Sequence, residues 1–383
     1  MIQLGIEVLL TSCRDLLKGK RVGLVSNYNV TDSHFRPVID LLVESDDWQV
    51  MKLFGPEHGV KNSAKEGEHV SSGTDDHTGL PVFSLYGETR KPSADMLTGL
   101  DILVIDLQDI GCRYYTNMNT MAYCMEACAE IGLPCLVLDR PNPINGTDRE
   151  GTILDLEYRS FVGMHAIPNR HGLTMGELAN YFNQHMEPRC DLTVIEVHGW
   201  KRETILSETG LPFIPSSPNT DSLEMCLLYP GTCLFEGTNV SLGRGTANPF
   251  KVLGAPYVNG HLLADWFNQK KLPGVIARPL YFTPTYSQYA GELCSGIQLH
   301  VTNPKRLKSV LTGVTLLQGM ADLFSNHFNF LQTAEGQRPF IDLLAGTNKL
   351  REFLGKGQAI TYITDSEFEL DAFSKRIKPF EIY

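Results

Sequence analysis

Short apolar runs alternating with helical periodicity constrain this chain most. The runs Arg21–Ser26, Gln49–Phe54, Ile102–Leu107, Pro134–Leu138 and Leu192–Val197 are rich in Val, Ile and Leu. Strands of that composition are covered on both faces, as in parallel sheets. Between them, Phe35, Val38, Ile39 and Leu42 mark one helical face, and Met118, Met121, Ala122, Met125, Cys128 and Ala129 mark another. Thr174 with Glu177 three residues on forms a capping box, opening a helix through about His185. This βαβ rhythm predicts an α/β fold, a Rossmann-like, doubly wound, mostly parallel sheet. The register changes near Tyr229-Pro230-Gly231. Pro-bearing irregular stretches run from Lys271 to Tyr289, a strand follows at Gly296–Val301, and a long helix begins after Asn303-Pro304. A smaller α+β domain is expected there, with boundaries at 1–229 and 230–383.

At 383 residues the chain suits two or three domains. Its net charge of −11 disfavours nucleic acid and anionic membrane surfaces, which demand basic patches. No apolar run is long enough to span a bilayer, so no membrane insertion is expected. The nine cysteines are scattered without a CxxC pair, which fits free buried thiols in a reducing compartment. The start, Met1-Ile2-Gln3-Leu4-Gly5-Ile6-Glu7, has no basic region followed by an apolar one. The expected location is therefore cytoplasmic, or exported if a leader has already been removed.

Polar residues follow four of the predicted strands: Asn27 the first, Glu57 and His58 the second, Gln108 and Asp109 the third, Asp139 and Arg140 the fourth. In a parallel sheet these ends share one edge, so a single crevice is expected to collect them. Phe54-Gly55-Pro56-Glu57-His58-Gly59 sets a carboxylate and an imidazole side by side on a turn. Such a pair offers a proton donor or acceptor and a neighbour that tunes it. A tight turn with two surface polar groups explains the same residues.

Further candidates come from loops. Gln108 to Asn117 leads from a strand into a helix, where Arg113 could grip an acid and Tyr114 or Tyr115 stack on a sugar. Asp139-Arg140-Pro141-Asn142-Pro143 is a rigid polar loop. Glu150 and His171 follow. Glu236, Asn239 and Arg244 lie in a Gly-rich loop with no Gly-Lys-Ser/Thr phosphate motif. His58, Glu66, Glu68, His69, Asp75, Asp76 and His77 could be drawn into a metal site, but their spacing fits no common ligand frame. No metal and no cofactor are expected. Without a GxSxG elbow, acid–base chemistry by carboxylates is the best mechanism, and glycoside cleavage needs that equipment. Glu57 with Asp109, Asp139 or Glu150 could supply it.

At these residues the chain resembles the NamZ-type exo-β-N-acetylmuramidases. The matching segments are Leu4-Gly5-Ile6-Glu7, Arg21 to Asn27, Phe54 to Gly59, Thr78 to Val82, Leu85-Tyr86-Gly87, Gln108 to Thr116, Asp139 to Pro143, Arg170-His171-Gly172 and Glu236 to Asn239. The resemblance implies a Rossmann-like catalytic domain and a smaller C-terminal one. It implies release of N-acetylmuramic acid from non-reducing ends of peptidoglycan-derived glycans, with Glu57 as the leading catalytic carboxylate, and a small carbohydrate as partner. The sugar's lactyl carboxylate would need a cation, for which Arg113, Arg140 and Arg244 are candidates. A non-catalytic muropeptide-binding protein and a metal hydrolase using His58, His69 and His77 remain the alternatives.

Overall fold

A computed structural model describes residues 2–65, 67–333 and 338–383. The strands in chain order are β1 (Arg21–Val25), β2 (Gln49–Gly55), β3 (Gly73–Thr74), β4 (Pro81–Ser84), β5 (Ile102–Ile105), β6 (Cys135–Leu138), β7 (Glu150–Ile153), β8 (Pro168–Arg170), β9 (Leu192–Ile195), β10 (Val252–Ala255), β11 (Val275–Phe282) and β12 (Cys294–Val301). Seven of them form the central sheet, in the order β3-β4-β2-β1-β5-β6-β9. All neighbours in it are parallel except β3 on β4. The chain starts mid-sheet at β1, winds outward through β2 and β4, then returns to fill the other side from β5. Every expected N-terminal strand is present. β5 and β6 are buried along their whole length, which explains their unbroken apolar sequences.

The helix Asn117–Ile131 lays its methionine stripe against this sheet. Thr174 caps Met175–Gln184 with the capping box expected from Glu177. Phe35 departs from its predicted helical face. The helix is Val38–Val43, starting behind Pro37, and Phe35 lies outside it, exposed with φ of 66°. The stretch predicted to be irregular contains β11, which carries Pro279. An edge strand tolerates the missing donor, and β11 is at the edge of the order β10-β12-β11.

The C-terminal region packs this antiparallel sheet against Gly260–Asn268 and Ser309–Leu323. The expected boundary at 229/230 falls inside one helix, Leu223–Thr232, with Tyr229 and Pro230 both buried. The end of the chain crosses back to the N-terminal side. Phe373 and Ile377 join the core of the large sheet, and the Tyr383 hydroxyl donates to Asp139 at 2.7 Å. Among the described residues, no helix is long and apolar enough to cross a membrane. All nine cysteines are free and eight are buried, the exception being the half-buried Cys13.

Arg113 holds the two regions together. Its side chain is 1% exposed, and among the described residues no carboxylate pairs with it. Nη1 donates to the carbonyls of Thr152 at 2.6 Å and Ile167 at 2.8 Å, and Nη2 to that of Leu344 at 2.8 Å. Burial pulls the guanidinium down to about 10, still charged at neutral pH. Removing it strips a charged donor from three buried carbonyls, each such hydrogen bond being worth about 1.5–3 kcal/mol, while Ile167 keeps the Leu154 N–H and Leu344 keeps the Asn169 amide. Arg113→Met is therefore expected to lower the unfolding free energy in urea by about 3 kcal/mol or more. Arg21→Ala, which breaks the exposed pair with Asp101, should cost far less, because solvent screens that pair.

Candidate active site

A cavity of about 380 Å³ opens where the end of β2 meets the C-terminal region. Glu57 and His58 line it from the turn after β2, Tyr86 from beyond β4, and Tyr115, Thr116 and Asn117 from the entry to the helix Asn117–Ile131. Glu236, Arg244, Phe250 and Gln288 line it from the C-terminal region. Glu57 and Glu236 are the two carboxylates on the wall among the described residues.

Glu57 is half-buried and oriented by neighbours. The Thr116 hydroxyl donates to its Oε2 at 2.6 Å, and the Gly67 N–H lies 3.5 Å from Oε1. The Tyr86 hydroxyl lies near enough to feel its charge. Burial first, then the Glu57 charge, pushes that hydroxyl up to about 12, so it stays protonated and able to donate. The turn itself depends on a close approach. A Cβ on Gly55 would lie 2.8 Å from the Val60 N–H nitrogen, so the loop folds tightly back over the strand end. His58 sits at φ 73°, an unusual conformation for a side-chain-bearing residue. A carbonyl only accepts, so the 2.7 Å contact of His58 Nδ1 with the Ala64 oxygen puts a proton on Nδ1.

Of the other predicted site residues, the structure brings Tyr115, Glu236 and Arg244 to this wall. Tyr115 shares a 2.7 Å hydrogen bond with Ser216. The remainder lie off this wall. Asp109, expected to be catalytic, is buried off the wall, where its Oδ2 accepts from the Gly111 N–H at 2.6 Å and from His171. The Leu173 N–H donates to His171 Nδ1, which fixes the proton on Nε2, 3.1 Å from Asp109. Asp139 is fully buried and accepts from Gly176, Thr174, Tyr383 and the Arg140 N–H; burial outweighs these donors and pushes it up to about 6. Glu150 binds Arg170 at 2.7 Å and takes the Val310 N–H at 2.9 Å. Asn142 bridges Leu173 and Ile144, and Asn239 binds His327, Asn329 and Tyr257.

The central crevice expected between the strand ends is filled by the chain itself. Arg140 forms a two-pronged pair with buried Asp106 and donates to the Thr31 carbonyl at 2.9 Å. Asn27 is buried, accepting from the Asn29 N–H, and Asn29 reaches over to the Pro215 carbonyl. Only about 50 Å³ remains there, with Gln108 and Arg140 on its wall. Asn27, Asp139 and Arg140 thus close the crevice, and binding space moves sideways toward β2 and β4.

The described members of the histidine-rich stretch do not converge. Asp76 pairs with Lys61, His77 faces Asp40 at 3.4 Å, Asp75 accepts from Tyr28 and Thr78, and Glu68 accepts from the Lys65 N–H. Glu66 lies outside the described residues. The one close ligand grouping among described residues is Glu7, Asp32 and His34, where both carboxylates already accept backbone N–H groups.

Sequence comparison matches this architecture part by part. The N-terminal domain profile of exo-β-N-acetylmuramidase NamZ fits residues 22–224, and its C-terminal domain profile fits residues 227–383. The chain belongs to the NamZ family. Peptidoglycan β-N-acetylmuramidase NamZ of Bacillus subtilis (strain 168) is 44% identical over 383 residues, spanning 100% of this chain and 91% of that protein. A crystal structure of a DUF1343 family protein from Bacteroides fragilis superimposes with a TM-score of 0.91 at 36% identity, covering 100% and 99% of the two chains. A second from the same organism gives 0.76 at 32%, with the same coverage.

In this NamZ chain, Tyr86, Thr116, Asn117, Ser217, Asn219 and Thr220 line the cavity without having been singled out as site residues. Tyr86 follows β4, a strand that the sequence pattern did not reveal. Once β4 is placed beside β2, the residue after it must lie next to Glu57. The Glu57–Tyr86 contact can be read directly. The Tyr86 hydroxyl is expected to titrate only near pH 12 by tyrosine NMR. In Glu57→Gln it should titrate lower, yet above its ordinary value, because burial is the larger cause.

Proposed function

We propose that the chain hydrolyses the β-linkage of N-acetylmuramic acid at non-reducing ends of peptidoglycan-derived glycans, with Glu57 as the main catalytic carboxylate. The placement of Glu57 carries this reading. It is a carboxylate at the end of a sheet strand, oriented by the Thr116 hydroxyl with Tyr86 close by, on the wall of the cavity of about 380 Å³. Membership of the NamZ family supplies the reaction class, and the glycoside hydrolase activity follows from it.

Hydrolysis moves one proton to the leaving glycosidic oxygen, breaks the bond from that oxygen to the anomeric carbon, and adds water to that carbon. Glu57 moves the proton at the scissile oxygen. Glu236 is the second carboxylate on the cavity wall among the described residues and the group available for the other half of the reaction. The Thr116 hydroxyl, with Tyr86 close by, keeps the Glu57 carboxyl in one orientation through the step, which is how a side chain becomes an efficient general acid or base. A volume of about 380 Å³ is near the lower end for small-molecule sites and suits one substituted sugar ring, in keeping with attack on a terminal unit.

Glu57→Gln is expected to cut kcat on the muramyl-N-acetylglucosamine disaccharide by about 10²–10⁴-fold, with substrate affinity preserved. The loss should be smaller on para-nitrophenyl N-acetylmuramide, whose leaving group needs little protonation. Undiminished turnover of the disaccharide by the variant would remove Glu57 from this role.

A further inference from the structure

The cavity has a wall built for an anion. Arg244 is the one Arg or Lys lining it among the described residues, and its side chain is only 13% exposed. Its position is over-determined. Residues Gly243 and Gly245 flank it with φ of 73° and 76°. A Cβ on Gly245 would stand 2.6 Å from the Tyr286 nitrogen, so the loop is pressed onto the 284–288 segment. The Thr285 N–H and hydroxyl both donate to the Gly245 carbonyl at 2.9 Å. The guanidinium lies over the Phe250 ring, 4.9 Å from its centre, and pairs with Glu236. Stacking and pairing together hold the planar fork in one attitude.

N-acetylmuramic acid differs from N-acetylglucosamine by one substituent, a lactyl ether ending in a carboxylate. An enzyme that selects the first sugar must read that group. Arg113 and Arg140, the other arginines considered for it, are buried off this wall and engaged elsewhere: Arg113 with three carbonyls between the two regions, Arg140 with Asp106 and Thr31. Two carboxylates, Glu57 and Glu236, face the same space, so an anionic sugar entering without a cation would meet net negative charge.

We infer that Arg244 is the specificity-determining residue, receiving the lactyl carboxylate of the sugar on the C-terminal lining of the cavity while Glu236 shares the guanidinium. This rests on the muramyl-sugar reading of the site. The arrangement separates two tasks: the N-terminal turn carries the proton, and the C-terminal loop carries substrate choice. Glu236 links them, because a carboxylate that pairs with Arg244 is also the second carboxylate of the cavity among the described residues.

The test reads binding rather than turnover. The protein and its Arg244→Met variant, which keeps the apolar stem over Phe250, are titrated calorimetrically with N-acetylmuramic acid, its methyl ester and N-acetylglucosamine. The unsubstituted protein is expected to bind N-acetylmuramic acid at least about tenfold tighter than the other two, since one charge-assisted hydrogen bond supplies that much. Arg244→Met should lose this preference and retain its affinity for N-acetylglucosamine; Arg244→Lys should recover part of it. Equal binding of the acid and its methyl ester by the unsubstituted protein overturns the inference, and that arm needs no variant to fold. An undiminished preference in Arg244→Met overturns it equally. A protein that prefers the acid through Arg244 but releases no sugar would instead sink the proposed hydrolysis and leave Arg244 as the carboxylate reader.

Discussion

A single buried guanidinium fixes the geometry on which the cavity depends. Arg113 reaches from the loop after β5 to carbonyls on both sides of the joint, and other buried polar contacts surround it. Thr152 donates its hydroxyl to the Ala345 carbonyl, Asn169 its amide to that of Leu344, and the Asp155 N–H to that of Gly346. Each would be an orphan in an apolar interior if the two regions parted. The two walls of the cavity, one bearing Glu57 and the other Glu236 and Arg244, are thereby held at a set separation. Catalytic groups on two such walls are useful only under such a constraint, because small misplacements cost rate steeply.

The same economy of polar groups explains where the cavity is not. In open α/β sheets the winding reverses at a crevice beside the first strand, and ligands commonly bind there. Here that crevice is occupied by the Arg140–Asp106 pair, Asn27, and the segment carrying Pro215. An ion pair this deep is costly to assemble and strongly destabilising to break, which makes it a durable plug. The working space lies one strand further out, over β2 and β4, where the C-terminal region supplies the missing wall.

Much of the fold was legible because the parallel strands are buried on both faces and must be apolar throughout. β11 was not, since an edge position tolerates Pro279 and half-exposed residues. Glu57 was legible as a dense polar turn at a strand end. The same signal marks Asp109, Asp139 and Arg140, which are buried off the cavity wall: a polar residue at a strand end serves equally well as an internal brace, and a linear reading has no measure of burial. Glu150, His171 and Asn142 belong with them. Tyr86 and Thr116 carried no signal of their own. They matter because topology brings β4 and the entry of the helix Asn117–Ile131 to either side of Glu57, and a linear reading has no measure of that distance.

The buried thiols have a chemical consequence. Burial holds Cys112, Cys124, Cys226 and Cys233 well above the ordinary thiol range, so almost none of each is thiolate at neutral pH. Oxidants, alkylating agents and soft metals all react with exposed thiolate. These four side chains therefore behave as small apolar fillers, and their number says little about the surroundings in which the protein can work. At these four positions burial protects the folded chain from the covalent scrambling that would trap an unfolded one, whereas Cys190, held below the ordinary thiol range by its hydrogen bond with Cys135, is the exception.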